Sequence, residues 1–260
     1  MGVGSKKRRE HIKGFIEEID IVSQNDTNQF FNWFDESGGD IEKNFLKGRY
    51  EFSIYILMPL LKYIDDLHKK KILEIGYGGG RLLLAASSCF SESIGIDIHK
   101  NSSIVEAEFL KRGVHNATFI QSDGSTLPLE NEEIDVVYSF IVLQHVEKIE
   151  IFNAYIAETY RVLKRGGIAI LFFGRLYQCS TNKRLKMFYS IDIVLEKLLG
   201  RKGYKEIVAQ VNCTNLKVSL SYAKKKLIEH GFSVLEVGVS RKLPHIDVFG
   251  GQHYIIVKKE

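Results

Sequence analysis

Short apolar runs alternate with amphipathic stretches along most of this chain, and the alternation predicts strands and helices in turn. Runs at 71–75, 93–97, 117–121, 134–140 and 168–173 read as buried strands. Between them, helical spacing of apolar positions marks 80–90, 101–112 and 149–164. After a long interruption come a helix over Ser219–His230, stopped by Gly231, and two more strands at 232–240 and 252–258 around the loop Leu243–Gly251. Strands separated by helices need crossover connections, so the expected fold class is α/β, with a doubly wound, mostly parallel sheet. The last pair suits an antiparallel edge.

Two segments fall outside this alternation. Residues 1–68 read as an N-terminal helical cap, with an aromatic cluster at Phe30, Phe31, Trp33 and Phe34 and an apolar stretch over Phe52–Ile64. Residues 174–215 are too long for a structureless loop and should carry a helix near Ile191–Leu199. The expected organisation is therefore a cap (1–68) and a core (69–260) with 174–215 as a helical lid insertion.

Candidate chemistry begins where the first strand ends, at Glu74-Ile75-Gly76-Tyr77-Gly78-Gly79-Gly80. Glycines at 76, 78 and 80 allow positive φ and close approach of a ligand, and the next helix points its positive end at the same place. A phosphate loop would end in Gly-Lys-Ser/Thr, but Arg81-Leu82 follows Gly80. The dinucleotide fingerprint fails too, because its third glycine falls on Arg81 or Leu83. What remains is E-x-G-x-G-x-G. The second strand ends in Asp97, the third is followed by Asp123-Gly124, and the fourth ends at Ser139-Phe140. Three acids at the carboxyl ends of successive strands converge on the crevice where doubly wound sheets bind ligands. Each alone could be a helix cap or turn residue.

Together these motifs resemble those of the class I S-adenosylmethionine-dependent methyltransferases, and the likeness is strongest from Lys71 to Gly167. Arg161-Val162-Leu163-Lys164-Arg165-Gly166-Gly167 resembles the family's helix-to-strand corner. The resemblance implies a seven-stranded sheet in the order 3-2-1-4-5-7-6 with the last strand antiparallel. It implies S-adenosylmethionine as cofactor and S-adenosylhomocysteine as product. Glu74 would help hold its methionine end, Asp97 the ribose hydroxyls and Asp123 the adenine amino group, with Gly76, Tyr77, Gly78, Gly80, Ile98 and Gly124 also binding the cofactor and Phe140 bordering cofactor and acceptor. Tyr77 departs mildly from the motif, either shielding the methionine moiety or packing outward. Cap and insertion would form the substrate lid.

His145, after the fourth strand, is the candidate catalytic residue, as a base or a substrate-orienting group; a structural role competes with it. His245 and His253 are weaker candidates, and His11, His68, His99, His115 and His230 read as surface or terminal residues. The Asn/Asp-Pro-Pro-Tyr/Phe motif of amino-group methyltransferases is absent after the fourth strand, where Ser139-Phe140-Ile141-Val142 stands. Cys89, Cys179 and Cys213 lie away from the position that cytosine-C5 enzymes require. No acidic cluster suggests a magnesium site, so no metal is expected.

Charge sharpens the acceptor. Net charge is +4 overall, yet Arg175–Lys226 holds twelve Lys/Arg against three acids, a local +9. A solvated helical face would explain this, and so would an acidic or phosphorylated acceptor. The leading expectation is O-methylation of a small molecule, a sugar or secondary metabolite. Alternatives are an RNA or protein methyltransferase using the basic insertion, and a non-catalytic S-adenosylmethionine-binding partner protein. A nicotinamide-dependent oxidoreductase is the fold-level rival that the failed fingerprint argues against. Lys6-Lys7-Arg8-Arg9, lacking aromatics, reads as a solubilising tail, and nucleic acid is not favoured as a partner. Met1–Arg9 lacks a signal peptide's apolar core, no run approaches the roughly 20 apolar residues of a membrane span, and three scattered cysteines fit reduced thiols. A cytoplasmic protein without membrane contact is expected; its oligomeric state is open.

Overall fold

The computed structural model describes residues 14–35, 40–178, 186–208, 210–241 and 249–260. Seven strands form the main sheet: β1 (Lys71–Ile75), β2 (Glu92–Asp97), β3 (Ala117–Gln121), β4 (Ile134–Ser139), β5 (Leu163–Gly174), β8 (Phe232–Arg241) and β9 (Phe249–Lys259). Their order is β3-β2-β1-β4-β5-β9-β8, the 3-2-1-4-5-7-6 arrangement expected. β1 to β5 are parallel, and β9 runs antiparallel between β5 and β8. Central strands covered on both faces read as continuous apolar runs, as in Lys71–Ile75, where only Lys71 is not fully buried.

Alternate residues of each strand feed two cores. Leu73, Ile75, Val137, Ala169 and Leu171 pack with α7 (Ile149–Val162) and α9 (Leu220–Glu229). Ile72, Val136, Tyr138, Ile170 and Phe172 meet α5 (Arg81–Ser87) and the buried Phe52, Ile56 and Leu60. Those three lie on one helical run: α3 (Ile41–Glu51) passes through a π-helical stretch, Phe52–Leu57, into α4 (Met58–Leu60). The wider π turn keeps positions four apart on the inner face.

Helices α1 (Phe15–Asn25) and α2 (Thr27–Asp35) build a third cluster, in which Ile19, Phe30, Phe31 and Phe45 pack on Tyr77, Leu83, Leu84 and on Val105 and Phe109 of α6 (Ser102–Lys111). Phe30 and Phe31 are essentially inaccessible, and each contributes about 1.5–3 kcal/mol. The cap is thus seated beside the glycine turn. α3 also abuts the start of α5 so closely that a Cβ on Gly48 would lie 2.2 Å from the Arg81 carbonyl oxygen.

Several expected boundaries move. The helix expected over 149–164 ends at Val162, and β5 starts at Leu163 rather than 168. Pairing with β4 resumes at Ile168 after a register shift, with Gly166 at φ 78°. The insertion helix is longer than expected, α8 (Lys186–Leu199), and Ser219 caps α9 by accepting the Tyr222 N–H. Gly231, at φ 95°, ends α9 as expected. A two-stranded ribbon went unforeseen: β6 (Tyr204–Glu206) against β7 (Leu216–Val218). Strands of three residues carry too little alternation to be read from sequence. Among the described residues no helix is long and apolar enough to cross a membrane.

Candidate functional site

β1 delivers Glu74 and the glycine turn to the carboxyl edge of the sheet. Gly76 (φ 78°), Gly78 (φ 53°) and Gly80 (φ 76°) all adopt left-handed backbone, and Gly80 caps α5 in that conformation. A Cβ on Gly76 would lie 2.2 Å from Val142 Cγ2, and one on Gly78 would lie 2.8 Å from Phe34 Cδ1. The missing side chains therefore make room for the cap and for the segment after β4, and the bare backbone walls the cavity between them. Gly76, Gly78 and Gly79 line that cavity with Glu74, Asp97 and Ile98, while Phe15, Trp33, Phe34 and Asn44 close it from the cap. Phe140, Val142, His145 and Asn212 form the opposite wall.

Glu74 is buried, and its Oε2 accepts the Tyr138 hydroxyl at 2.8 Å. Burial drives its carboxyl well above the ordinary 4.5 and Asp97 adds to the rise, while the Tyr138 hydroxyl and the Leu83 amide work the other way. Asp97 holds the turn directly: Oδ2 accepts from Gly78 N–H at 2.8 Å and Oδ1 from Ile98 N–H at 2.7 Å. Tyr77 packs inward. Its ring lies 5.0 Å from His99 and 5.2 Å from Phe119, and its hydroxyl is buried with no hydrogen-bond partner. Burial, helped by Asp97, raises the Tyr77 hydroxyl so that it keeps its proton.

Asp123 and Gly124 do not line the cavity. Asp123 is exposed, and its Oδ1 accepts from the backbone and side chains of Ser125 and Thr126. Burial would raise its carboxyl, but those four bonds outweigh it and hold it below the ordinary value. It still bears on the wall: after burial, Asp97 and then Asp123 push up the hydroxyl of Tyr155, which lines the cavity. Gly124, at φ 77°, donates to Ser122 Oγ at 2.9 Å in the same turn.

The chain after β4 bends sharply at Ile141, a β-branched residue at φ 68°. That bend lays Val142 over Gly76 and brings His145 to the cavity. His145 Nδ1 lies 2.6 Å from the Cys213 carbonyl oxygen, so Nδ1 carries the proton and Nε2 keeps its lone pair. The Gln144 amide nitrogen stands 3.4 Å from Nε2, at the limit of a hydrogen bond. Burial lowers the imidazole below 6.5 against the pull of that carbonyl, which keeps the ring neutral near pH 7. The segment leading into β7 supplies more than Cys213: buried Asn215 donates from Nδ2 to the His145 carbonyl at 2.9 Å, and its N–H bonds Gln144 O at 2.8 Å.

Other histidines fall differently from the sequence reading. His99, expected at the surface, is fully buried beside the glycine turn. Aspartate followed two residues later by histidine, just past a strand, was the available signal. His253 sits inside β9, where Nε2 lies 2.9 Å from Glu196 Oε1 of α8, away from the cavity wall. It ties the insertion to the sheet, alongside the buried Arg175–Asp192 pair. His245 lies outside the described residues. Trp33 and Phe34 belong to the aromatic cluster expected in the cap, whereas Phe15 and Asn44 were not foreseen as wall residues, because nothing in their spacing says which face meets the turn.

The lining fits the cofactor that the motifs imply. Asp97 and the buried carboxyl of Glu74 line the cavity with one arginine, Arg81, itself ion-paired with Glu51. A carboxylate beside an already paired arginine suits a cationic ligand better than a pyrophosphate. Among the described residues no group of three or more His, Cys, Asp or Glu is placed to hold a metal ion.

Comparison with known proteins agrees. Residues 73–171 match the family described as a methyltransferase domain. A ubiquinone biosynthesis O-methyltransferase from Rickettsia canadensis is 27% identical over 147 residues, covering 56% of this chain and 57% of the relative. A malonyl-[acyl-carrier protein] O-methyltransferase of a Marinomonas species is 26% identical, covering 55% and 51%. The chain spans about half the length of the curated relatives it matches. Among solved structures, a SAM-dependent methyltransferase from Methanosarcina mazei superposes with a TM-score of 0.55 at 19% identity, over 77% of this chain and 96% of the other. Magnesium protoporphyrin IX methyltransferase from Synechocystis, with bound SAH, reaches 0.57 at 17% identity, over 85% and 87%. Sheet order, glycine turn and domain match converge: residues 73–171 match a methyltransferase domain, on a sheet with the strand order that the class I S-adenosylmethionine-dependent methyltransferases share.

Proposed function

We propose that the protein methylates an oxygen of a small molecule, a sugar or secondary metabolite bearing an acidic or phosphorylated group. The observation that carries this reading is His145, neutral, with Nδ1 held by the Cys213 carbonyl and Nε2 left as an acceptor at the cavity wall. When bound, the cofactor supplies an electrophilic methyl group on a sulfonium. Glu74, the glycine turn and Asp97 would hold it. Nε2 of His145 takes the hydroxyl proton of the acceptor, a contribution of about 10²–10⁴-fold. Positioning by Phe140, the cap and the insertion supplies more, about 7–11 kcal/mol in well-oriented systems.

Two relatives bear O-methyltransferase names, one for ubiquinone biosynthesis and one for malonyl-[acyl-carrier protein], which supports oxygen as the acceptor atom. The acidic group is argued from charge. In the ribbon beside His145, Lys205 of β6 stands directly opposite Lys217 of β7, an unfavourable pairing that an anionic group relieves. Burial, then the Lys205 charge, lowers the Lys217 ammonium. The test is a screen of hydroxylated compounds, with and without phosphate or carboxylate, for a mass gain of one methyl group. Methylation of the anionic members supports the reading; methyl gain on nitrogen or carbon acceptors alone refutes it.

A further inference from the structure

We propose that His99 is a positioning residue for the cofactor loop, a neutral imidazole strut that holds the Gly78 carbonyl and joins the N-terminal cap to it. Its Nε2 lies 3.1 Å from Gly78 O, and a carbonyl only accepts, so Nε2 carries the proton. Its Nδ1 lies 3.2 Å from the backbone nitrogen of Asn101, and an amide only donates, so Nδ1 is bare. The two bonds together fix both the tautomer and the charge. Gly78 is thereby held on both sides, since its N–H already bonds Asp97.

The same ring also touches the cap. Phe30 and Phe34 of α2 lie 5.8 and 5.7 Å from it, and Phe34 rests on Gly78. The two residues that follow are clasped by α1: Lys100 pairs with Asp20 at 2.8 Å, and Asn101 Nδ2 donates to Asp20 at 3.3 Å. Gly78 and Phe34 line the cavity, whereas His99 does not. It acts through them, so the placement of the loop and the packing of α2 beside it share one side chain.

Two substitutions separate its bonds. His99→Gln can offer a donor toward Gly78 but no acceptor for Asn101; His99→Asn can offer the acceptor but no donor that reaches Gly78. With S-adenosylhomocysteine as the calorimetric probe, His99→Asn should weaken binding about tenfold or more and His99→Gln by no more than about threefold. Melting temperatures of the two ligand-free variants should agree, which a merely structural role would not require. Equal affinity in the two variants overturns the proposal. Nitrogen-15 NMR of the unaltered protein decides it independently of variant folding: a neutral Nε2–H imidazole is expected, and a proton on Nδ1 refutes the strut. If the unaltered protein ignores S-adenosylhomocysteine, the cofactor assignment fails, and the NMR result still judges the strut.

Discussion

Asp97 bears two loads that a single substitution can weigh. Its oxygens accept Gly78 N–H at 2.8 Å and Ile98 N–H at 2.7 Å, and the side chain is 8% exposed. A hydrogen bond to a charged group is worth about 1.5–3 kcal/mol. Asp97→Asn keeps one acceptor oxygen and turns the other position into a donor facing a backbone N–H. One bond is lost, so stability should fall by about 1.5–3 kcal/mol, or about 3–12 °C in melting temperature for a chain of this size. The carboxylate also lines the cavity, with lone pairs to spare for two ribose hydroxyls. Losing the charged acceptor there should raise the dissociation constant of S-adenosylhomocysteine about 10- to 100-fold. Thermal melts read the first quantity and titration calorimetry the second. A lowered melting temperature with affinity unchanged would refute the ribose assignment while leaving the loop anchor intact. No change in either would refute the reasoning from geometry altogether.

Other perturbations test the remaining walls. Gly76→Ala places a Cβ 2.2 Å from Val142 at positive φ and should cost about 1–3 kcal/mol in urea melts. Adding Val142→Ala should restore part of this, and no rescue would mean that the conflict lies elsewhere. Glu74 is held above its ordinary value by burial, so the folded state keeps its proton more tightly than the unfolded chain does. Its contribution is present below about pH 4.5 and is lost as pH rises through the raised value. Glu74→Gln should therefore be progressively more stable than the parent as pH increases, and a constant difference would contradict the shift. For His145 the direction is opposite: burial lowers it, so the acid limb of kcat should fall below 6.5 and vanish in His145→Ala. An unchanged pH profile in that variant would remove His145 from the proton transfer.

The sheet was legible because its signals are local and redundant. Strands β1, β2 and β4 are short, almost wholly buried runs rich in Ile, Leu and Val, and their turns place glycines or acids at the carboxyl edge of the sheet. Contacts assembled from distant segments left little trace. Phe34 and Gly78 are 44 positions apart, and only the fold shows that one fills the space the other vacates. His99 looked like a polar loop residue because its burial comes from α2, not from its neighbours. The β6–β7 ribbon escaped notice because strands of three residues carry no readable alternation, and its tie to the Gln144 carbonyl through the Asn215 and Leu216 N–H groups has no sequence period. Asp123 was placed correctly at a strand end, but the bonds to Ser125 and Thr126 set its posture, and those follow from turn geometry rather than from the strand.

Ile141 carries a consequence of its own. A β-branched side chain in the left-handed region is costly, about 1–3 kcal/mol, and the expense is met by Val142 and His145 being locked where they are. The bend behind β4 is therefore a loaded spring, held shut by the glycine turn on one side and by Cys213 and Asn215, just before β7, on the other. Relaxing it with a residue tolerant of that backbone would firm up the free protein and slacken the cavity wall that Val142 and His145 form, so stability and, on the proposed function, acceptor selectivity should trade against each other at this position.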